Sequence, residues 1–186
     1  MLEAAGHEVV FPDDVGVPED VAESALELGD SFEANARTKA EYFAKRTGLP
    51  TLADDSGLEV LMLGGAPGTR SKRWAGATGT PAQVDAANNA ELLRRLQGAP
   101  PMKRSARYRC VLVFLKAPNA MPIVADGQTA GRILETAEGT NGFGYDPLFW
   151  SVDLEKSFGV ASAAEKNGVS HRGRALERLL EVLTAG

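Results

Sequence analysis

Three stretches of this 186-residue chain carry side chains whose type and spacing suit chemistry. The first is Asp54-Asp55-Ser56-Gly57, set between two apolar runs. Adjacent carboxylates repel each other unless a cation lies between them or each faces water. One reading is therefore a magnesium site, because hard oxygen ligands suit Mg²⁺ and its remaining positions go to water and phosphate. The other is a solvated turn, in which Asp, Ser and Gly are all common, and for this segment alone the turn is the simpler reading. The second stretch is Gly142-Phe143-Gly144-Tyr145-Asp146-Pro147. Two glycines flanking an aromatic let backbone approach a flat ligand while Phe143 stacks on it. Asp146 could then accept hydrogen bonds from ring N–H groups, although a tight turn around a core aromatic would use the same residues. The third runs from Glu165 to Arg174, where Lys166, His171 and Arg172 could grip a phosphate or the carbonyl edge of a base. Ser170 is placed to cap the helix that follows. Cations at a helix start oppose its macrodipole, which favours a ligand over simple stabilisation.

These groups must be positioned by a mixture of helices and strands. Met1 to Gly6 reads as the last turns of a helix closed by Gly6, and His7 to Phe11 alternates as a short strand. Residues 13–30 are acidic and irregular, with Pro18 and Gly29 as breakers. Asp30-Ser31 offers an N-cap for a helix over Ser31 to Thr47, ended by Gly48, with Phe32, Ala36, Ala40 and Phe43 or Ala44 inward. Pro50 to Ala53 reads as a buried strand before the acidic turn, and Leu58 to Leu63 as strand or short helix. A helix over 81–97 starts at Pro81, turns Leu92, Leu93 and Leu96 to one face and stops at Gly98. Strands are expected over Arg107–Leu115, Ile123–Asp126, Gly131–Glu135 and Leu148–Trp150. An amphipathic helix over Gly173–Thr184 turns Leu176, Leu179, Leu180 and Leu183 inward. Helices and strands alternate without strict order, so the class is mixed α/β, within a single domain over 1–186.

Composition removes several functions. A net charge of −5 argues against nucleic acid as partner, yet leaves room for one anionic ligand held by a few local cations. With one cysteine no intrachain disulfide can form, and Cys110 lies in an apolar run where a buried inert thiol is expected. Two histidines do not suffice for a His-rich zinc centre. No apolar run reaches the length of a membrane span and the N-terminus lacks signal-peptide features, so no membrane role and a cytoplasmic location are expected.

Five segments in register resemble the inosine triphosphatase family, whose members are also named dITP/XTP pyrophosphatases. They are Ser31-Phe32-Glu33-Ala34-Asn35-Ala36 with Lys39; Ala53-Asp54-Asp55-Ser56-Gly57-Leu58-Glu59-Val60; Leu63 to Gly68 with Ser71, Arg73 and Trp74; Gly142 to Phe149; and Glu165 to Leu176. The resemblance implies an elongated mixed-sheet fold of two lobes with a central nucleotide cleft, and a homodimer. It implies Mg²⁺-dependent hydrolysis of ITP, dITP and XTP to the monophosphate and pyrophosphate. Asp55 matches the family's general base and metal ligand, and Glu27 a second metal carboxylate, with Asp54 a lesser candidate. Lys39 matches a phosphate contact and Ser56 a substrate contact. Phe143, Gly144, Tyr145 and Asp146 match the base pocket, completed by Lys166, His171 and Arg172.

Elementary chemistry agrees with these roles. Water attacks a triphosphate only after its charge is neutralised, which Mg²⁺ on Glu27 and Asp55, helped by Lys39, would achieve. A cationic His171 or Arg172 would favour a 6-oxo acceptor over the amino donor of adenine. The family's opening strand and Ser/Thr-x-Asn-x-x-Lys loop have no counterpart here, which implies a start codon placed too late or a shortened chain, with weakened catalysis. Glu33-Ala34 before Asn35, and Gly159-Val160-Ala161 after Lys156-Ser157, are smaller departures. The competing expectations are a nucleotide-binding protein with little turnover, and a pyrophosphatase for modified pyrimidines.

Overall fold

The structure is a computed structural model that describes residues 2–20, 23 and 25–185. Met1, and residues 21, 22 and 24 of the stretch expected to be irregular, lie outside the described residues. Four helices are described: α1 (Phe32–Thr47), α2 (Pro81–Arg95), α3 (Ala163–Val169) and α4 (His171–Ala185). Five strands, β1 (Thr51–Val60), β2 (Ser105–Leu115), β3 (Ile123–Ile133), β4 (Phe149–Ser151) and β5 (Lys156–Ser157), form one sheet in the order β1-β2-β3-β4-β5. β4 runs antiparallel to β3, with Gly131 opposite Ser151 and Ile133 opposite Phe149, and β5 antiparallel to β4. Helices with a mixed-length sheet make the α/β class expected from the alternation of elements. Among the described residues no helix is long and apolar enough to cross a membrane.

The chain divides into two compact units, Met1–Asp55 with Cys110–Gly127 and Arg174–Gly186, and Ser56–Arg109 with Gln128–Gly173. In the first, the side chains of β2 alternate between two helices. Val113 and Leu115 meet Ala36, Ala40 and Ala44 of α1, together with Ala53. Cys110 and Leu112 meet Ala175 and Leu179 of α4, with Ala125 beside them. A strand covered on both faces needs apolar residues at every position, which is why 110–115 reads as an unbroken apolar run. The three alanines recur every fourth residue, so they line one face of α1. Ser31 caps that helix by accepting from the Ala34 N–H at 3.1 Å, and Gly48 closes it at φ 71°.

In the second unit Leu92 and Leu96 of the α2 segment pack with Leu58, Val60, Ile133, Leu148 and an aromatic group. Tyr108, Phe149 and Phe158 make up that group, with ring centroids of Phe149 and Phe158 5.0 Å apart. α2 begins with Pro81 behind Thr80, and Thr80 and Gln83 satisfy each other's backbone N–H reciprocally.

Three expectations are corrected. His7–Phe11 is not a strand: its alternating side chains are exposed and no ladder partner meets it among the described residues, so alternation alone has nothing to pair with. Asp54-Asp55-Ser56-Gly57 is not a turn but the middle of β1. Ile123–Ile133 is one strand rather than two, and it ends before Glu135. Residues 163–169, to which no element was assigned from sequence, form a helix, α3, started by Ser162 and Glu165 in a reciprocal cap.

Candidate active site

The first constellation lies in the first unit and starts from strand geometry. Successive strand residues face opposite sides, so β1 separates its two aspartates. Asp55 follows Ala53 toward α1, and Asp54 follows Leu52 toward the α4 side, where its Oδ2 lies 3.9 Å from Cys110 Sγ. Asp54 thus lies beside the buried thiol, on the face of β1 opposite Asp55.

Asp55 is 8% exposed. Its Oδ2 accepts from Asn35 Nδ2 at 2.9 Å, and its Oδ1 lies 3.4 Å from Lys39 Nζ. The same ammonium lies 3.0 Å from Glu27 Oε1. Asn35 and Lys39 are one turn apart on α1, which brings both to the face that meets β1. Asn35 is only 1% exposed, and its Oδ1 accepts from the Gly29 N–H at 2.7 Å, two residues after Glu27. A Cβ at Gly29 would stand 2.7 Å from that same oxygen, so this close approach requires glycine. Burial raises the Asp55 carboxyl above its ordinary range; the Asn35 hydrogen bond and the Lys39 charge oppose it, and the Glu27 charge adds to it.

Among the described residues no three His, Cys, Asp or Glu side chains gather as a metal cluster. Two carboxylates converging on one cation suit Mg²⁺, which keeps water and phosphate in its remaining positions, better than they suit a closed zinc site.

The second constellation lies in the second unit, in the loop 142–146. Gly142 adopts φ 77°, and a Cβ there would overlap Asp146 Oδ2, so only glycine fits. That oxygen accepts from the Phe143 N–H at 2.8 Å and from Lys166 Nζ. Lys166 also sits 4.5 Å from the centroid of the Phe143 ring, within cation–π range. Phe143 itself is 67% exposed. Tyr145 is 3% exposed and donates its hydroxyl to Ser71 O at 2.9 Å. Burial, with the Asp85 charge, pushes its phenol far above the usual value, so it stays a neutral donor.

Asp146 is 1% exposed. Tyr145 and Asp146, expected to line a base pocket, are both buried and hydrogen-bonded within the protein, and the exposed ring of the loop is Phe143. Gly144 is held through its backbone: its N–H donates to Asp85 Oδ2 at 2.7 Å and its carbonyl accepts from Asn89 Nδ2 at 2.9 Å.

The basic segment joins this constellation through Tyr108. Its buried phenol is pushed up by desolvation and by the Asp146 charge, and its ring stacks on His171 at 4.9 Å between centroids and 13° between planes. Ser170 caps α4 by accepting from the Gly173 N–H at 3.0 Å, as its place before the helix suggests. Arg172 reaches Ser56 Oγ at 3.5 Å. The structure thus gathers Glu27, Lys39 and Asp55 as one group, Phe143, Asp146, Lys166 and His171 as another, and pairs Ser56 with Arg172. Sequence reasoning passed over Asn35, Asp85, Asn89 and Tyr108. The first three carried a readable signal, polar residues repeating at helical spacing: Asn35 with Lys39, and Asp85 with Asn89.

The sequence profile of the Ham1 family matches residues 2–182. A dITP/XTP pyrophosphatase of Lactiplantibacillus plantarum is 49% identical over 154 residues, 83% of this chain and 73% of its own. One from Thioalkalivibrio sulfidiphilus is 46% identical over 185 residues, 98% of this chain and 89% of its own. The solved structure of a HAM1 protein from Coxiella burnetii matches with a TM-score of 0.85 at 37% identity, covering 100% of this chain and 91% of that one.

Proposed function

The chain belongs to the Ham1 family, and on that premise we propose that it is a nucleoside-triphosphate pyrophosphatase cutting ITP, dITP and XTP to the monophosphate and pyrophosphate in the cytoplasmic nucleotide pool. The observation that carries this reading is the meeting of Glu27 and Asp55 on the single ammonium of Lys39.

Glu27 and Asp55 would hold Mg²⁺, which when bound supplies positive charge against the triphosphate. Lys39 offers a compact point charge for a phosphate oxygen. Asp55, whose carboxyl burial makes a better proton acceptor than an ordinary aspartate, orients the attacking water and takes its proton. Asn35 keeps that carboxylate aimed, with Oδ2 occupied and Oδ1 turned toward Lys39. The water oxygen attacks phosphorus on one side of the α–β bridge, and the bridging bond breaks to give monophosphate and pyrophosphate.

Phe143 provides a stacking face for the base. Lys166 retains donors beyond the one on Asp146 and, with His171 and Arg172, selects a 6-oxo acceptor over an amino donor. We further propose a homodimer, which light scattering on the purified protein would detect.

The test is release of pyrophosphate from ITP, ATP and GTP with Mg²⁺, in the wild type and Asp55→Asn. Turnover of ITP well above ATP, lost in the variant, supports the reading. Tight ITP binding without turnover replaces it with a nucleotide-binding protein, and preference for a pyrimidine triphosphate replaces the substrate class.

A further inference from the structure

Phe143 is an exposed aromatic between two glycines at positive φ, a backbone that left to itself samples many conformations. A ring on such a loop is a poor stacking platform, because the ligand must order the loop as it binds. Two fixings remove that freedom. Asp146 pins the N-terminal side through the Phe143 N–H. On the C-terminal side, Gly144 is held at its N–H by Asp85 and at its carbonyl by Asn89.

Asp85 and Asn89 are four residues apart on α2, so their side chains project from one face as a matched acceptor and donor. The helix beneath them is firmly seated, capped at Thr80 and anchored by the fully buried Leu92. Asn88 of the same helix holds the Ser71 and Lys72 carbonyls, and Ser71 O also accepts from Tyr145, so α2 organises the loop from two directions. The Oδ1 of Asn89 is buried and accepts no hydrogen bond among the described residues. An apolar side chain of similar size would avoid that cost, so the residue type answers to the donor aimed at Gly144.

We propose that Asp85 and Asn89 are positioning residues for purine recognition: they hold the two peptide groups that flank the Gly144 Cα and so preset the Phe143 ring for the base of the nucleotide. This rests on the base-loop reading above. The clamp acts through the base loop, so its effect should fall on the base half of the ligand.

The experiment compares binding of α,β-methylene ITP, which cannot be cut at the α–β bridge, with binding of inorganic tripolyphosphate, by calorimetry with Mg²⁺. Asp85→Leu and Asn89→Leu should each weaken the ITP analogue about tenfold, the scale of one lost well-made hydrogen bond, and leave tripolyphosphate within about twofold. The double variant should fall well short of about a hundredfold, because either change loosens the same residue, Gly144. Asp85→Asn, which keeps an acceptor for the Gly144 N–H, should recover most of the affinity and also covers the case in which Asp85→Leu fails to fold. Equal loss for both ligands, or no loss for either, overturns the clamp. Phe143→Ala separates the two levels. Undiminished analogue binding there removes the base-loop reading and the clamp with it, whereas weakened binding in Phe143→Ala but not in the α2 variants removes the clamp alone.

Discussion

Replacing Asn35 by alanine should cost far more than one exposed amide would, and in a way that depends on pH. Asn35 donates to the carboxylate of Asp55 at 2.9 Å and accepts from Gly29 at 2.7 Å, with almost no exposure to water. A hydrogen bond to a charged group contributes about 1.5–3 kcal/mol, and a neutral one about 0.5–1.5 kcal/mol. The sum is roughly 3 kcal/mol, which for a chain of this size lowers Tm by about 6–12 °C. The larger part exists only while Asp55 is ionised. Removing the bond takes away an influence that lowers the Asp55 pKa, leaving burial less opposed, so the folded-state pKa rises further above the unfolded one. A raised carboxyl pKa means stability that is complete below the unfolded value and lost as pH climbs through the folded one. The gap between wild type and Asn35→Ala should therefore be wide at neutral pH and narrow as pH falls through the carboxylate range. Urea unfolding in EDTA, so that no bound cation stabilises the native state, measures it directly. A gap under about 1 kcal/mol, or one constant with pH, would refute the reasoning, as would simple additivity with Asp55→Asn, since two side chains in contact must couple.

Three other outcomes are expected. Asp55→Asn should abolish pyrophosphate release yet raise Tm at neutral pH in EDTA, because a neutral isostere avoids ionisation in a site where burial opposes it; the advantage should vanish at pH below the unfolded carboxyl pKa, and thermal scans at both pH values check it. Gly142→Ala should destabilise by about 2 kcal/mol and expose the loop, because φ 77° suits only glycine and Asp146 cannot retreat; faster chymotryptic cleavage after Phe143 would report it. Arg104→Met should destabilise by at least about 3 kcal/mol in urea unfolding, since the buried guanidinium donates to the carbonyls of Leu96, Ile133 and Leu134. Arg104→Lys should not rescue it, because one ammonium lacks the planar fork that reaches all three.

The helices were legible because their signals are local. Ser31 and Gly48, or Thr80, Pro81 and Gln83, act within a few residues of the turns they start or stop, so reading them needs no tertiary information. Strands failed where local composition and distant partners disagree. Asp54-Asp55-Ser56-Gly57 has the composition of a turn, yet it is strand because β1 hydrogen-bonds to β2 far along the chain, while Asp55 finds Asn35 twenty positions away. Gly131 looked like the start of a new strand, but its missing side chain is what lets Phe149 pack across β3, so the glycine belongs to the strand interior. His7–Phe11 failed in the opposite sense, with a strand's pattern and no neighbour to pair with.

The site divides along the same line. Charged and aromatic residues that would touch a nucleotide were visible as motifs, whereas Asn35, Asp85, Asn89 and Tyr108 act on other protein groups, so only the helical spacing of the first three hints at them and nothing marks Tyr108. The acidic pair shows why adjacency misleads. Neighbours along a strand point to opposite faces, so the two adjacent carboxylates of β1 face different helices. Asp55 meets its acidic counterpart through a lysine contributed by a helix, and that geometry follows from the pairing of α1 with β1.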